Sequence, residues 1–380
     1  MAARPAIENG MAIVDQIDDV LRQAVQIGAS DVHFEPTETS LLVRLRVDGR
    51  LTDLERWPSA ITPNVVTRLK VMAGLLTYRT DIPQEGSHRI EGPRPHDLRI
   101  STFPTIRQER VVVRLLASGA GPRPLARLGL SDDMTAALRS AAQSTSGLVL
   151  ITGPAGSGKT STLYALVDFI RSASPGLSII TLEDPVEHRI DGVAQIQVAP
   201  HGELSFPRAM RSLLRQDPQV IMLGEIRDSE TAQIAAQAAL TGHLILSSMH
   251  AGSVAEALVR LTEMDVPAYQ LTSAVRLVTA QRLIRTLCEA CAMRELPHPS
   301  NAGPCAACLG TGMRGRTACG EFVTMSGSIR KAILERGDTG LIQSAIDSFS
   351  EHVSLDADAR RHVSTGLTTM VEVTATLGGG

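Results

Sequence analysis

The sequence predicts an α/β protein with a mostly parallel sheet, preceded by a smaller α+β module. Beyond residue 128, short apolar runs of strand length alternate with helix-patterned segments, an arrangement typical of a parallel sheet that helices cover on both faces. Before residue 117, helical and strand periodicities are mixed. The chain has 380 residues, of which 43% are hydrophobic, so it is long enough for two or three domains with cores of their own.

The N-terminal module is predicted to begin with an amphipathic helix over residues 13–27, where apolar residues recur at helical spacing. Residues 41–47 alternate apolar and polar side chains and are followed by Asp48 and Gly49, a turn dipeptide, so a hairpin is predicted there. The remaining predicted elements of this module are a helix over 64–76 and strands over 97–101 and 110–116.

A linker separates the module from the larger part of the chain. Residues 119–124 read Gly-Ala-Gly-Pro-Arg-Pro, which interrupts every periodic pattern. We therefore expect an N-terminal domain over 1–117, a linker over 118–127 and a larger domain over 128–380. In the larger domain, strands are predicted over 148–152, 178–182, 220–223 and 244–247, and helices are predicted to begin near Lys159, Phe206, Ser229 and Val254.

Composition and charge disfavour several classes of protein. The net charge is −3 and aromatic residues make up 3% of the chain, so the chain lacks the basic surface and the stacking side chains of a dedicated nucleic-acid binder, and no nucleic-acid partner is expected. No apolar stretch is long enough to span a bilayer, and the N-terminus lacks a signal-peptide pattern. We expect a cytoplasmic protein, in which the five cysteines indicate metal binding rather than disulfides.

A glycine-rich segment after the first strand of the larger domain matches the phosphate-binding signature G-x-x-x-x-G-K-[ST]. A strand before it and a helix after it are the context that the signature requires, which distinguishes it from a chance glycine turn. The glycines allow a tight loop whose N–H groups point at phosphate oxygens. We therefore predict ATP binding, with Lys159 on the β- and γ-phosphates and Thr160 on Mg²⁺. The predicted nucleotide contacts are Gly153, Pro154, Ala155, Gly156, Ser157, Gly158, Lys159, Thr160 and Ser161.

Hydrolysis also needs a carboxylate near the metal and a group that orients the attacking water. The apolar strand over 220–223 leads to Glu225 at its carboxyl end, beside the phosphate loop, and Glu225 is the predicted general base. The alternative is an ordinary acidic residue at a strand end. The strand over 178–182 ends at Glu183, which could polarise water or contact Mg²⁺ through water.

Two histidines, His243 and His250, flank the strand over 244–247. One histidine at a strand end is more often a packed surface residue than a catalytic one. Because two of them bracket a strand of the same sheet, both are candidate catalytic residues.

Four of the five cysteines form two C-x-x-C pairs that are separated by thirteen residues. This spacing is close to that of two-knuckle zinc sites, in which four thiolates surround Zn²⁺ as a tetrahedron. Because all four ligands would be cysteine, the site would be closed and structural. The alternatives are a redox dithiol or chance pairs, and Cys319 is interpreted as a small buried hydrophobic residue rather than a fifth ligand. The predicted zinc ligands are Cys288, Cys291, Cys305 and Cys308.

Four motifs occur in order along the larger domain: GPAGSGKT (153–160), TLEDPVE (181–187), LRQDPQVIMLGEIRD (214–228) and LTGHLILSSMH (240–250). Together they resemble the Walker A, Asp box, Walker B and His box of the secretion ATPase superfamily of type II secretion systems and type IV pili. The resemblance extends upstream through 29–36, 70–75 and 97–101, and downstream through 280–283 and the cysteine pairs. It implies a RecA-like ATPase domain, an N-terminal PAS-like domain and a ring-shaped homo-hexamer with nucleotide between the two domains.

The resemblance also implies roles for four arginines that would otherwise be interpreted as solvated surface residues. At the family's motif positions they would neutralise charge on the γ-phosphate or couple subunits. They are Arg99, Arg211, Arg215 and Arg227. One departure concerns the arginine that many members carry directly after Pro-Gln-Asp/Glu-Gly, because this chain has Ser87 there and its nearest arginine is Arg89.

In the family, the tetracysteine subdomain, here 286–322, is typical of motors that assemble filaments, and C-terminal helices over 323–380 would complete the domain. The resemblance thus implies an assembly motor, in a short form without the extended N-terminal domain, that acts at the cytoplasmic face of an inner-membrane platform protein. Two alternatives remain open. One is a nucleic-acid translocase of the same ATPase class, and the other is a scaffold that binds ATP without useful turnover.

Overall fold

The computed structural model describes residues 11–91, 95–117, 121–198, 204–292, 305–349 and 352–378. The chain forms two compact units. The first comprises Met1–Ala120 and Leu287–Gly315, and the second comprises Gly121–Thr286 and Arg316–Gly380. Within the described ranges, no helix combines the length and the apolar character that a membrane span requires.

The N-terminal part of the first unit is a six-stranded sheet with two helices. Its elements are α1 (Met11–Ile27), β1 (Asp31–Pro36), β2 (Ser40–Val47), β3 (Arg50–Pro58), α2 (Thr62–Met72), β4 (Gln84–Ile90), β5 (His96–Phe103) and β6 (Arg110–Ala117). The strand order is β3-β2-β1-β6-β5-β4, and every neighbouring pair is antiparallel. Alternate residues of the strands are buried with the apolar faces of α1 and α2, so one face of the sheet forms the core of this unit.

The predicted helix over 13–27 and the predicted hairpin after residue 41 are confirmed. At the turn between β2 and β3, Asp48 and Gly49 have φ angles of 50° and 86°. Two consecutive positive φ angles are typical of the tight turn that joins antiparallel strands with their native twist. Gly49 adopts its positive φ angle without a steric clash, because it has no Cβ.

The rest of the chain contains seven further strands and eleven further helices in the described ranges. They are α3 (Asp132–Ala142), β7 (Gly147–Thr152), α4 (Lys159–Ala173), β8 (Ile179–Glu183), β9 (Ala194–Gln197), α5 (Phe206–Leu213), β10 (Val220–Leu223), α6 (Ser229–Leu240), β11 (Leu244–Met249), α7 (Val254–Glu263), α8 (Ala268–Ala274), β12 (Val275–Leu287), α9 (Glu289–Ala292), β13 (Met313–Thr324), α10 (Gly327–Leu334), α11 (Thr339–Asp347), α12 (Leu355–Ser364) and α13 (Met370–Leu377). The predicted helix starts at Lys159, Phe206, Ser229 and Val254 are all observed.

The second unit is built on a seven-stranded sheet in the order β13-β12-β7-β11-β10-β8-β9. The five successive pairs from β12 to β9 are parallel, as the alternation of strands and helices predicted. On β7, Leu148 and Leu150 pack into one core cluster, whereas Val149 and Ile151 pack into another. Because neighbouring residues of a strand point to opposite faces, the sheet is buried on both sides.

The segment that carries the cysteine pairs belongs to the first compact unit. Residues 287–315, which carry the cysteine pairs, group with the N-terminal sheet rather than with the larger domain. Two contacts account for this grouping: the Gly315 N–H donates to the Asp48 carboxylate at 2.7 Å, and Leu309 packs against the core of the N-terminal sheet. Within the predicted linker, residues 121–124 form neither helix nor strand, and residues 118–120 lie outside the described ranges.

Candidate active site

The phosphate loop joins β7 to α4 at the carboxyl end of a central strand of the parallel sheet. Gly153, Gly156 and Gly158 have φ angles of 148°, 75° and 89°, which favour glycine. A Cβ on Gly153 would lie 2.5 Å from the Gln281 carbonyl oxygen, so no larger residue fits there. Because α4 begins at Lys159, its unpaired N-terminal N–H groups meet the loop and form a site suited to an anion.

The side chains of the loop are arranged as an incoming triphosphate would require. Lys159 is 8% exposed, and its Nζ donates to the carbonyl oxygens of Gly153 and Pro154 at 2.8 and 3.0 Å. Burial lowers the pKa of Lys159, and the negative charge of Glu225 opposes that shift. A buried ammonium with only neutral acceptors gains from an anionic partner.

Two further observations fit a bound Mg²⁺ nucleotide. The Ser157 hydroxyl is buried and has no hydrogen-bond partner among the described residues, so it is available to a ligand oxygen. Thr160 and Ser161, in the first turn of α4, are exposed. The Thr160 hydroxyl is thus accessible to a magnesium ion on the phosphates.

A charged cluster lies at the carboxyl ends of the neighbouring strands. Glu225 follows β10 by two residues, and its carboxylate is 18% exposed. One of its oxygens accepts a hydrogen bond from Arg227, and the other lies 3.3 Å from the His250 Nε2. Arg227 also reaches the Asp184 carboxylate at 3.3 Å, and its hydrogen bond to Glu225 raises the pKa of the guanidinium.

Parallel pairing explains why these residues meet. Leu223, the last residue of β10, is paired with Leu182 of β8 and Ser247 of β11, so the loops after all three strands leave the sheet at one edge. The loop after β10 is also hydrogen-bonded to β11: the Ser248 hydroxyl donates to the Gly224 carbonyl at 2.7 Å, and the Ile226 N–H donates to the Ser248 carbonyl at 2.9 Å.

The structure does not bring Glu183 into this cluster. Its side chain is 2% exposed and accepts hydrogen bonds from the hydroxyls of Tyr164 and Thr181 and from the Gln195 amide. Burial raises the pKa of Tyr164, so its hydroxyl stays a proton donor. Asp184 is the carboxylate that reaches Arg227, and it was missed as a site residue because it does not end the apolar run. The alternation of side chains along a strand could have identified Asp184, because adjacent residues point to opposite sides and Asp184 therefore faces away from Glu183.

The two candidate histidines lie at opposite ends of β11. His250 follows the carboxyl end and lies in the charged cluster. His243 precedes the amino end, where its Nδ1 lies 3.1 Å from the Ala238 carbonyl oxygen at the end of α6. In a parallel sheet the amino ends of the strands form the edge opposite to the phosphate loop. The structure thus assigns His243 to a helix–strand turn and separates it from the cluster.

The predicted arginines are dispersed. Arg227 belongs to the charged cluster, whereas Arg211 pairs with Glu230 on the surface and Arg215 is exposed just after α5. Arg99 lies on β5 of the first unit, where it pairs with Glu85 at 3.2 Å.

The register of the N-terminal sheet locates the position where many family members have arginine. Ser87 is the cross-strand neighbour of Arg99. Arg89, the nearest arginine, approaches Glu91 and Asp97 at 3.4 and 3.8 Å. It therefore has acidic partners within its own unit.

The four paired cysteines converge. Their sulfur atoms all lie within 4.8 Å of one another, and those of Cys291 and Cys308 are 3.5 Å apart. Thiolates around a tetrahedral Zn²⁺ lie roughly 3.8 Å apart, given Zn–S bonds of about 2.3 Å. The backbone N–H groups of Cys308 and Ala307 lower the pKa of the Cys305 thiol, which favours the thiolate that binds metal. The donor set and the spacing fit a closed zinc site.

Cys319 is separate from this group. It is fully buried and packs with Ile284, Ala359 and Val373. Burial raises its pKa to about 12, so it stays a neutral thiol. This environment supports its interpretation as a small hydrophobic residue.

Comparison with known proteins gives consistent matches along the chain. The family described as "Type II/IV secretion system protein" matches residues 7–375. The type II secretion system protein HxcR of Pseudomonas aeruginosa is 41% identical over 369 residues, which cover 96% of this chain and 77% of HxcR. The type IV pilus assembly ATPase PilB of Thermus thermophilus is 37% identical over 378 residues, which cover 94% of this chain and 42% of PilB.

Among solved structures, the ATPase DotB of Yersinia pseudotuberculosis has a TM-score of 0.75 and 21% sequence identity. The match covers 99% of this chain and 96% of the DotB chain. At this identity the likeness shows a shared α/β fold.

The positions of the two histidines predict different effects on turnover. Replacing His250 with alanine removes one of the two partners of Glu225 and is expected to lower kcat for ATP hydrolysis by about 10²-fold. The matched variant His243→Ala, at the other end of the same strand, is expected to keep kcat within about twofold. Steady-state phosphate release measures kcat for both variants. Equal losses in the two variants would contradict a role for His250 that His243 does not share.

The cysteine cluster predicts one zinc ion per chain. Elemental analysis of the purified protein is expected to give about one equivalent of zinc, and Cys305→Ser is expected to lose most of it. Cys319→Ala is the control, because this cysteine lies outside the cluster, and it should retain the metal. A metal-free wild type, or full zinc in Cys305→Ser, would refute the site.

Proposed function

This chain belongs to the type II/IV secretion system protein family, as its motifs predicted, and on that premise we propose that it is an ATP-hydrolysing motor. It works as a homo-hexamer and powers the assembly of pilin or pseudopilin subunits in a type II secretion or type IV pilus system. One observation carries the proposal: the phosphate loop, Glu225 and His250 lie along one edge of a single parallel sheet. The relatives named for secretion and for pilus assembly support the process served.

Nucleotide binding depends on the phosphate loop. The N–H groups of the loop and of the first turn of α4 hold the phosphates. Lys159 exchanges its two carbonyl acceptors for phosphate oxygens, which replaces neutral hydrogen bonds with a charged pair. The Thr160 hydroxyl would hold Mg²⁺, which would supply positive charge to offset that of the phosphates.

Glu225 is the general base of the proposed reaction. Its contacts with Arg227 and His250 fix the direction of its carboxylate. Each carboxylate oxygen has two lone pairs, so it can also accept a proton from the attacking water. In this proposal His250 orients that water, and Arg227, which contacts both Glu225 and Asp184, would neutralise charge on the γ-phosphate.

The motor is assembled from two bodies in each subunit. We assign residues 128–380 to the RecA-like ATPase domain and residues 1–117 to the PAS-like domain. Arg99, Arg211 and Arg215 would neutralise charge on the γ-phosphate or couple subunits. The exposure of Arg211 and Arg215 supports a coupling role. The partner is a platform protein at the cytoplasmic face of the inner membrane, and no membrane span is required.

Replacing Glu225 with glutamine tests the base. The variant is expected to keep its nucleotide affinity and to lose at least about 10²-fold in kcat, because the amide cannot take the proton from water. Lys159→Ala is expected to lose nucleotide binding itself. Glu263→Gln, an exposed carboxylate at the end of α7, should behave as the wild type. Unchanged turnover in Glu225→Gln would remove the base from the mechanism. Nucleotide binding without turnover in the wild type would instead favour the scaffold alternative.

A ring in which subunits complete one another's sites predicts a concentration-dependent rate. Specific activity is expected to rise with protein concentration over the range in which sedimentation shows hexamers forming. Constant specific activity across that range would contradict a site that depends on neighbouring subunits. A stimulation by polynucleotide instead of by inner-membrane vesicles would favour the translocase alternative.

A further inference from the structure

Two adjacent residues of β12 contact the two loops that matter for the proposed reaction. Gln281 is 1% exposed, and its side chain lies against the phosphate loop. Arg282 follows it, and its side chain reaches the loop that carries His250. Because neighbouring residues of a strand point in opposite directions, one dipeptide can hold both loops. No step of the proposed mechanism has used either residue.

Gln281 fixes a peptide of the phosphate loop. Its Nε2 donates to the Ser157 carbonyl oxygen at 2.8 Å. In a planar trans peptide the carbonyl and the following N–H point in opposite directions, so this hydrogen bond turns the Gly158 N–H away from Gln281. Gly158 has a φ angle of 89° and no Cβ, so the peptide before it reorients easily unless it is anchored. Gln281 supplies that anchor.

Thr162 sets the orientation of the Gln281 amide. The Thr162 hydroxyl donates to the Gln281 Oε1 at 3.0 Å, which leaves the Nε2 facing Ser157. Both residues are buried, so no solvent molecule competes for the amide. Thr162 lies in the first turns of α4, and the three groups therefore connect the phosphate loop, its helix and β12.

Arg282 holds the second loop. Its guanidinium donates to the carbonyl oxygen of Gln281 at 3.0 Å and to that of Gly252 at 2.9 Å. Gly252 follows His250 by two residues, and its N–H donates to the Glu256 carboxylate. The His250 carbonyl accepts from Arg260 at 2.7 Å. The backbone from the His250 carbonyl to Gly252 is thus tied down, and Arg282 ties it to β12.

We propose that Gln281 and Arg282 are positioning residues that align the phosphate loop and the His250 loop from a shared strand. Gln281 acts on nucleotide affinity, because it sets the direction of a phosphate-binding N–H group. Arg282 acts on the rate of hydrolysis, because it sets the distance between His250 and Glu225. The inference rests on the proposed function, since it requires nucleotide in the phosphate loop and a role for His250.

The first arm of the test measures equilibrium affinity with a fluorescent ATP analogue and does not depend on turnover. Gln281→Leu keeps the size of the side chain but removes both hydrogen bonds, and it is expected to weaken binding about tenfold. Thr162→Val, a milder change, is expected to weaken binding about threefold, because the amide is no longer oriented. Thr162→Ser retains the hydroxyl and is expected to restore wild-type affinity.

The matched control is Thr279→Val on the same strand. Thr279 is fully buried, and its hydroxyl has no hydrogen-bond partner among the described residues. The substitution removes a buried hydroxyl without breaking a contact, so affinity should not change. Thermal unfolding without nucleotide shows for each variant whether the fold is retained.

The second arm separates affinity from rate. Arg282→Met keeps the apolar stem and removes the donors, and it is expected to lower kcat about tenfold while the affinity for nucleotide stays within about twofold. Gln281→Leu should give the opposite split, with the larger change in affinity. A purely structural role would lower both quantities together with the unfolding temperature in both variants, and that outcome would overturn the proposal.

Failure of this inference and failure of the proposed function give different results. If the wild type binds and hydrolyses ATP, Lys159→Ala loses binding and folded Gln281→Leu binds as the wild type, the positioning role is refuted and the ATPase stands. If the wild type neither binds nor hydrolyses ATP, the proposed function fails first.

Discussion

The parallel alignment of β7, β8, β10 and β11 is the constraint on which the rest of the candidate site depends. In a parallel sheet every carboxyl end faces the same edge, so residues far apart in sequence meet there without a dedicated binding domain. The phosphate loop, Glu225 and His250 each follow one of these strands. The same alignment requires helices on both faces, and it explains why consecutive residues of β7 enter two different core clusters.

Buried hydrogen bonds fix the positions of the loops that follow these strands. Tyr164 of α4 donates to Glu183 and accepts the N–H groups of Glu187 and His188 at 3.1 and 3.2 Å, so the helix after the phosphate loop also holds the loop after β8. On the other side, Gln281 holds the phosphate loop to β12. A buried polar group that loses its partner is costly, so these connections keep the loops in one arrangement. Glu183 therefore connects the end of β8 to α4 and β9 and lies outside the charged cluster.

The sequence predicted the elements that carry strong local signals. Apolar runs revealed the central strands, and the residues that follow them revealed the phosphate loop, Glu225 and His250. It missed β4, whose residues are mostly polar, β9, which has four residues, and β12, which follows α8 without a turn. It also missed β1 and β13. The sequence analysis also did not predict which way the residues at strand ends face. His243 lies at the edge of the sheet opposite to the phosphate loop, and the Glu183 side chain points into the core. The direction of β11 predicts that His243 lies away from the phosphate loop. The burial of Glu183 could not be predicted in this way, because it depends on partners from α4 and β9.

The candidate zinc site cannot also be the site of hydrolysis, because a structural zinc site and a catalytic metal site need different coordination. A metal that activates water needs an open position, whereas four thiolates complete the tetrahedron of Zn²⁺. The candidate zinc ligands would therefore take no part in the proton transfer proposed for Glu225. A zinc ion would supply a local core, because among the described residues of 287–315 the local cluster consists of the four cysteines and Ala307, a small apolar surface. Four metal–sulfur bonds would add to this small cluster, which would link the folding of the segment to metal binding.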